Sequence, residues 1–178
     1  MPSLSSVRAA VRRLATVRED DIASLATLLV DCVEGGASVG FMQPIDVARA
    51  ATFWRGVAAA VARGERALLV ADDREHGLVG TVQLVLAQPE NQPHRADVSK
   101  MLVLRSARRS GVGAALMRSA EELARECGKS LLVLDTASAD AERLYERMGW
   151  QRCGTVPGFA LLPQGGLCGT TYFYRVLA

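Results

Sequence analysis

The chain has 178 residues, 49% of them hydrophobic, with 21 basic and 19 acidic side chains and a net charge of +2. That length fits a single domain, residues 1–178, with a real core, and the apolar content argues against global disorder. Near-balanced charge leaves no extended footprint for nucleic acid, and no apolar run approaches the ~18 residues of a membrane span.

The N-terminus, "MPSLSSVRAAVRRL", is Arg- and Ser-rich in the manner of a transit peptide but lacks a secretory apolar core. A first strand over about 10–16 with exposed arginines is the simpler reading. From Asp20 to about Glu34, apolar Ile22, Leu25, Leu28, Leu29, Cys32 and Val33 recur at helical spacing. Asp20 and Asp21 suit the start of that helix, and Gly35-Gly36 its end. The stretch "GGASVGFM" (35–42) then has the glycine spacing of a P-loop. Phe41 and Met42 stand where that motif needs Lys and Ser/Thr, so it is no nucleotide site. Asp46 can cap a second helix, to about Arg63, with Ala50, Trp54, Val57 and Val61 inward and Gly64 closing it.

Strands follow. "RALLVADD" and "GLVGTVQLVLAQ" are separated by the turn-like "DDREHG". "RADVSKMLVL" alternates through Ala96, Asp97, Val98 and Ser99, then gives way to the apolar run Met101 to Leu104, the trace of a β-bulge or a newly buried face. A helix is expected from about Gly111 to Cys127, then the short buried strand "SLLVLDT". Ala141, Leu144, Tyr145 and Met148 form a helical stripe ended by Gly149, and "TVPGFALL", "PQGG" and "TTYFYRVL" read as a hairpin. Hairpin-length links make the middle strands antiparallel, and the one strand–helix–strand unit over 96–135 makes one parallel pair. The expected class is α+β, a mixed sheet flanked by helices.

The four cysteines, Cys32, Cys127, Cys153 and Cys168, form no C-x-x-C pair and stand apart from His76 and His94. No metal site is expected, and reduced thiols in a cytoplasmic protein are the simplest reading. The chemistry concentrates in "MLVLRSARRSGVGAALM". Arg108 and Arg109 stand just before a helix start, where cations are unfavourable unless an anion neutralises them. Gly111 and Gly113 let that anion approach free N–H groups, so a phosphate or pyrophosphate is expected at 108–114. Solvated turn arginines are the alternative. A dinucleotide fingerprint ending on Asp135 fits poorly. Leu116 takes the third small position, and the 43 residues after Asp135 leave no room for the second half of a doubly wound sheet.

Arg108-x-x-Gly111-x-Gly113-Ala114 after an apolar strand resembles the acetyl-CoA pyrophosphate loop of GCN5-related N-acetyltransferases (GNAT). "SADAERLYERMGW" is similar to that family's N-x-x-A-x-x-L-Y-x-x-x-G-F/W helix: Ala141, Leu144, Tyr145, Gly149 and Trp150 match, and Ser138 stands where many members have Asn. The resemblance implies a mostly antiparallel twisted sheet splayed between the fourth and fifth strands, with acetyl-CoA as co-substrate. It implies that the backbone of Met101, Leu102, Val103 and Leu104 pairs with the pantetheine arm. The N–H groups of Arg109, Ser110, Gly111, Val112, Gly113 and Ala114 would hold the pyrophosphate beside Arg108, with a further cofactor contact at Ser138. It assigns the Tyr145 hydroxyl to the departing sulphur.

A base or a water chain must deprotonate an ammonium of pKa ~10. Asp97 and Asp135 are both candidates, and both match acidic positions of a family member that acetylates a small amino-acid-like toxin. "GGASVGFM", "RADVSKMLVL", "LDT" and "PGF…YFYR" resemble that member too. The family places the 35–42 connection beside the acceptor, with Ser38 offering a hydrogen bond, Phe41 walling off water and the glycines letting the loop move. Trp54, Trp150, Phe53 and Phe159 read as core or rim, and His94 as surface. The expected partner is a small-molecule amine, with neither nucleic acid nor membrane, and an edge-strand or C-terminal contact could make a homodimer. A protein N-terminal or lysine acetyltransferase, and a non-catalytic acyl-CoA-binding module, are the alternatives.

Overall fold

The computed structural model describes residues 9–178, so most of the Arg/Ser-rich N-terminal stretch lies outside the described residues. A short strand β1 (Ala10–Arg13) leads into helices α1 (Glu19–Glu34) and α2 (Val47–Ala62). Strands β2 (Arg66–Asp73), β3 (Gly77–Val85) and β4 (Arg95–Val103) follow, then α3 (Val112–Glu126), β5 (Leu131–Thr136), α4 (Ala139–Arg147), β6 (Gln151–Leu161) and β7 (Leu167–Val176). The strands form one sheet in the order β1-β2-β3-β4-β5-β7-β6. Every pairing is antiparallel except β4 with β5. This is the GNAT arrangement expected from the sequence.

Strand alternation sends side chains to two cores. Leu69, Val82, Leu84, Ala96, Leu132 and Phe173 pack under α3 and α4 with Leu116, Met117 and Tyr145. Leu68, Val70 and Leu102 pack on the opposite face against Leu25, Leu28, Leu29 and Trp54 of α1 and α2. Each fully buried leucine contributes ~1.5–3 kcal/mol of transfer free energy. The helix starts differ in how they are satisfied. Asp46 caps α2 by accepting from the Arg49 N–H at 2.7 Å. At α1 the acidic pair sits one step inside the helix, and Asp21 reaches back to accept the Arg18 N–H at 3.0 Å.

A close approach and a buried carboxylate hold α3 on the sheet. A Cβ on Gly80 would lie 2.9 Å from Leu116 Cδ1, so only glycine lets α3 lie this near the sheet. At its far side α3 carries buried Glu121, which accepts the Trp150 Nε1 proton at 2.9 Å and lies 3.8 Å from Arg175 Nε. This carboxylate ties α3 to the chain on either side of β6. Glu121→Ala should lower unfolding free energy by ~1–3 kcal/mol, because the buried Trp150 indole N–H loses its acceptor and Arg175, which keeps its bond to Gly149 O, loses its ion partner. Chemical denaturation checks this, and a loss below ~0.5 kcal/mol would mean that water replaces the carboxylate.

Candidate active site

The β4–β5 pairing is brief. Arg95, Ala96 and Asp97 pair with Leu131, Leu132 and Val133, and the ladder stops there. On its other side, β4 shifts register against β3: Thr81 faces Leu102 and Gln83 faces Ser99, which leaves an extra residue in β4. Lys100 occupies that bulge with φ +51°. The period change at Ser99–Met101 was the sequence trace of this bulge. β4 turns away from β5, and a cleft of about 1040 Å³ opens between them. Its walls include Val98 to Val103 on β4, Leu134 to Thr136 on β5, and Tyr145 on α4.

The loop after β4 makes a 3-10 turn at Arg105–Ala107. Arg105 anchors this turn to α1, its backbone N–H and Nε each donating to the Asp31 carboxylate at 2.9 Å. A Cβ on Gly35 would lie 2.6 Å from Arg105 Cδ, so the glycine that ends α1 also makes room for this clamp. Arg109 (φ +62°) and Gly111 (φ +87°) are both left-handed, and α3 starts at Val112. The N–H groups of Arg109 to Ala114 have no acceptor among the described residues; the first bonded amide of the helix is Ala115, to Gly111 O. Six unbonded donors at a helix N-terminus, flanked by two arginines, fit a diphosphate. Gly113 also lets α4 approach, since a Cβ there would lie 3.2 Å from Leu144 Cδ2.

Most of the expected cofactor residues line the cleft: Met101, Leu102, Val103, Arg108, Arg109, Gly111, Gly113, Ala114 and Ser138. Leu104, Ser110 and Val112 do not. The Leu104 N–H is spent on Val79 O at 2.9 Å, the Ser110 hydroxyl donates to Ala107 O, and the Val112 side chain is buried. Any contact from Ser110 or Val112 is therefore through backbone. The Ser138 oxygen caps α4, accepting from Ala141 N–H at 3.3 Å.

Tyr145 and Asp135 meet at the cleft. Tyr145 is buried against Trp150 and Phe173, and its hydroxyl has no partner among the described residues. Burial pushes its pKa up, and the Asp135 charge adds to that. Asp135 accepts a hydrogen bond from Thr170 Oγ1 at 2.7 Å. Asp97 sits at the last paired position, before the strands part, and is not among the residues that line the cleft. Its carboxylate is ion-paired with Arg95 and accepts from Gln88 Nε2 at 3.2 Å.

Phe41 is also placed elsewhere, edge-to-face on Phe53 at 5.2 Å in the α1–α2 core, while Ser38 and Gly40 do line the cleft. Nor is the 35–42 connection loose. Ser38 Oγ donates to Leu161 O at 3.3 Å, Gln43 N–H to Pro163 O at 2.9 Å, and Cys168 Sγ lies 3.6 Å from Ser38 Oγ. Phe159 lines the cleft and packs edge-to-face on Tyr172. Lys100 is the lining residue that motif reasoning passed over; its only sequence signal is its place at the change of period. Burial lowers its pKa, Arg66 lowers it further, and Asp135 opposes both.

No group of three or more His, Cys, Asp or Glu side chains among the described residues is placed to hold a metal. No described helix is long and apolar enough to cross a membrane. Cys32, Cys127, Cys153 and Cys168 are all free thiols.

The Acetyltransferase (GNAT) family model matches residues 41–150, well over half of the chain. The chain belongs to this family, and is an acyltransferase of the GNAT type. Solved structures are similar over nearly its whole length. An N-acetyltransferase from Staphylococcus aureus Mu50 has TM-score 0.78 at 14% identity, covering 96% of this chain and 99% of that one. A ribosomal-protein-alanine N-acetyltransferase from Brucella melitensis has TM-score 0.78 at 23% identity, covering 94% and 99%. A phosphinothricin acetyltransferase from Sinorhizobium meliloti, solved with acetyl-CoA, has TM-score 0.76 at 17% identity, covering 96% and 89%. At these identities the likeness is one of fold.

The Tyr145 environment has a readable consequence. The folded chain holds this proton more tightly than the unfolded chain, so the residue's contribution to stability is complete below pH ~10 and is lost as pH rises from there through the folded-state pKa. Tyr145→Phe should flatten the alkaline limb of the denaturation midpoint above pH ~10. An unaltered limb would show the hydroxyl to be solvated.

Proposed function

We propose that this protein transfers the acetyl group of acetyl-CoA to the amine of a small amino-acid-like acceptor, by direct attack in a ternary complex. The observation that carries the reading is one cleft lined both by Arg109, Gly111, Gly113 and Ala114, from the run of unbonded amides, and by Tyr145 and Asp135. Bound acetyl-CoA supplies an acetyl group activated as a thioester. The amides and Arg108 and Arg109 hold the diphosphate, and the free β4 edge beyond Asp97 lies beside the path of the pantetheine arm.

Tyr145 keeps its proton, because burial and the Asp135 charge both disfavour the phenolate. Its hydroxyl, with no partner among the described residues, donates to the leaving sulphur. Asp135, oriented by Thr170, receives the ammonium proton through cleft water, because carboxylates are weak bases. Asp97, outside the cleft, orders Arg95 and Gln88.

The resemblance to the tabtoxin-resistance acetyltransferase, and the fold shared with a phosphinothricin acetyltransferase at 17% identity, support a small acceptor. So does the bridge from Ser38 and Gln43 to Leu161 and Pro163, which narrows the acceptor end. A protein N-terminus is the second reading, favoured by the fold match to the Brucella enzyme, and it would need that bridge to open.

Thiol release from acetyl-CoA across amines, amino acids and peptides tests both readings. Tyr145→Phe and Asp135→Asn should each lower kcat about 10²-fold and leave CoA affinity within about twofold, because neither contacts the diphosphate. Unchanged kcat in either variant removes that residue from the mechanism. Turnover of peptides alone would select the second reading, and tight CoA binding without any turnover would leave a binding module.

A further inference from the structure

The chain has only two lysines, Lys100 and Lys129, against 19 arginines. Lys129 is structural: its ammonium donates to Leu86 O at 3.0 Å and to Pro93 O at 2.8 Å, closing the ends of β3 and the β3–β4 connection. Lys100 has no such role. It lines the cleft and makes neither an ion pair nor a hydrogen bond with any described residue. Its Nζ lies 5.7 Å from the Phe53 ring centre, and a Cβ on Gly40 would come within 3.9 Å of it. The ammonium therefore points to the acceptor end, beneath the 35–40 connection, and away from the diphosphate loop.

An ammonium in that place is costly. It has lost much of its hydration, and its nearest ring partner offers only a cation–π contact. A second cation, Arg66, lies on the same sheet face, its Nη1 donating to Gln83 Oε1 at 2.7 Å. Arg66 has no carboxylate partner among the described residues either. The left-handed backbone at Lys100 adds ~1–2 kcal/mol of strain that a glycine would avoid. A charged, strained, unpartnered lysine in a ligand cleft calls for an anion from outside the chain.

We propose that Lys100 is the anchor for a carboxylate on the acceptor, so that the substrates are amines bearing a carboxylate in the manner of amino acids. This rests on the transferase reading above. The charges across the gap support it. Lys100 on β4 is positive and Asp135 on β5 is negative, and both line the one cleft. An amino acid carries the complementary pair. Its carboxylate meets Lys100 and its ammonium is drawn toward Asp135, where the proton must leave. A simple amine satisfies one charge and leaves the other buried without a partner. The two arginines at the loop, Arg108 and Arg109, lie at the opposite end, beside the diphosphate amides.

The test pairs kinetics with a direct observation of the lysine. In wild-type protein, α-amino acids should show KM values about tenfold or more below those of their amides, as expected for loss of one charge-assisted contact. Lys100→Met should erase that preference and leave the KM for acetyl-CoA unchanged. With [ε-13C]lysine labelling the protein gives two side-chain signals, told apart by Lys100→Arg. In the CoA-loaded protein the Lys100 signal should move when amino acids are added and stay when their amides are added. The proposal is overturned if amides move it equally, if no amino acid moves it, or if the preference survives in Lys100→Met. Turnover of acids and amides alike would overturn the anchor and keep the transferase. Movement of the Lys100 signal by amino acids with no turnover of any amine would keep the anchor and overturn the transferase.

Discussion

Backbone amides and carbonyls must find partners, and at one place in this sheet they do not find them in the chain. The parallel ladder between β4 and β5 lasts three residue pairs and ends at Asp97–Val133. The bulge at Lys100 then turns β4 away while β5 stays paired with β7 as far as Thr136–Thr171. An interior edge of strand is left open, which elsewhere in a fold would invite aggregation or a wrong pairing. Here the α1–α2 connection, α4 and the β6–β7 hairpin surround it, so that only a ligand can reach it. The cleft, the exposed stretch of β4 and the aim of α3 all follow from this one parting.

The electrostatics are layered on that geometry. α3 points its N-terminus at the cleft because Gly80 lets it lie flush and Gly113 lets α4 close beside it. The turn before it is fixed from the far side by the Arg105–Asp31 pair, so the strain of left-handed Arg109 is carried by a rigid support. Positive potential then collects at the loop through Arg108, Arg109 and the amides, while Asp135 supplies a carboxylate oriented by a β7 hydroxyl. Tyr145 lies between them, kept neutral by burial. The cleft therefore carries positive charge at the loop end and a mixed pair, Lys100 and Asp135, further along.

Some of this was legible in the residues alone. The Arg108–Ala114 loop was readable because left-handed backbone and close helix approach leave little choice but glycine at 111 and 113. Tyr145 was readable because a helical stripe beside a matched motif fixes its side of the helix. The place of Asp97 beside the cleft was not legible, because it depends on where a parallel ladder stops, which is decided by strands distant in sequence. The stacking of Phe41 was hidden for a similar reason: its partner, Phe53, lies on the next helix, and an apolar loop residue looks the same whether it faces a ligand or a neighbour. Lys100 was overlooked because a change of period marks a bulge without saying which side chain it redirects.

The hydrogen bonds from Ser38 and Gln43 to Leu161 and Pro163 join two segments some 120 residues apart in the chain. The two pieces of chain at this end of the cleft are therefore one mechanical unit. A change in the α1–α2 connection therefore has to be matched by one in the β6–β7 hairpin if these bonds are to survive. Grafting a new α1–α2 connection alone onto this scaffold would strand the carbonyls of Leu161 and Pro163, and would reshape the pocket by loosening it before retuning it.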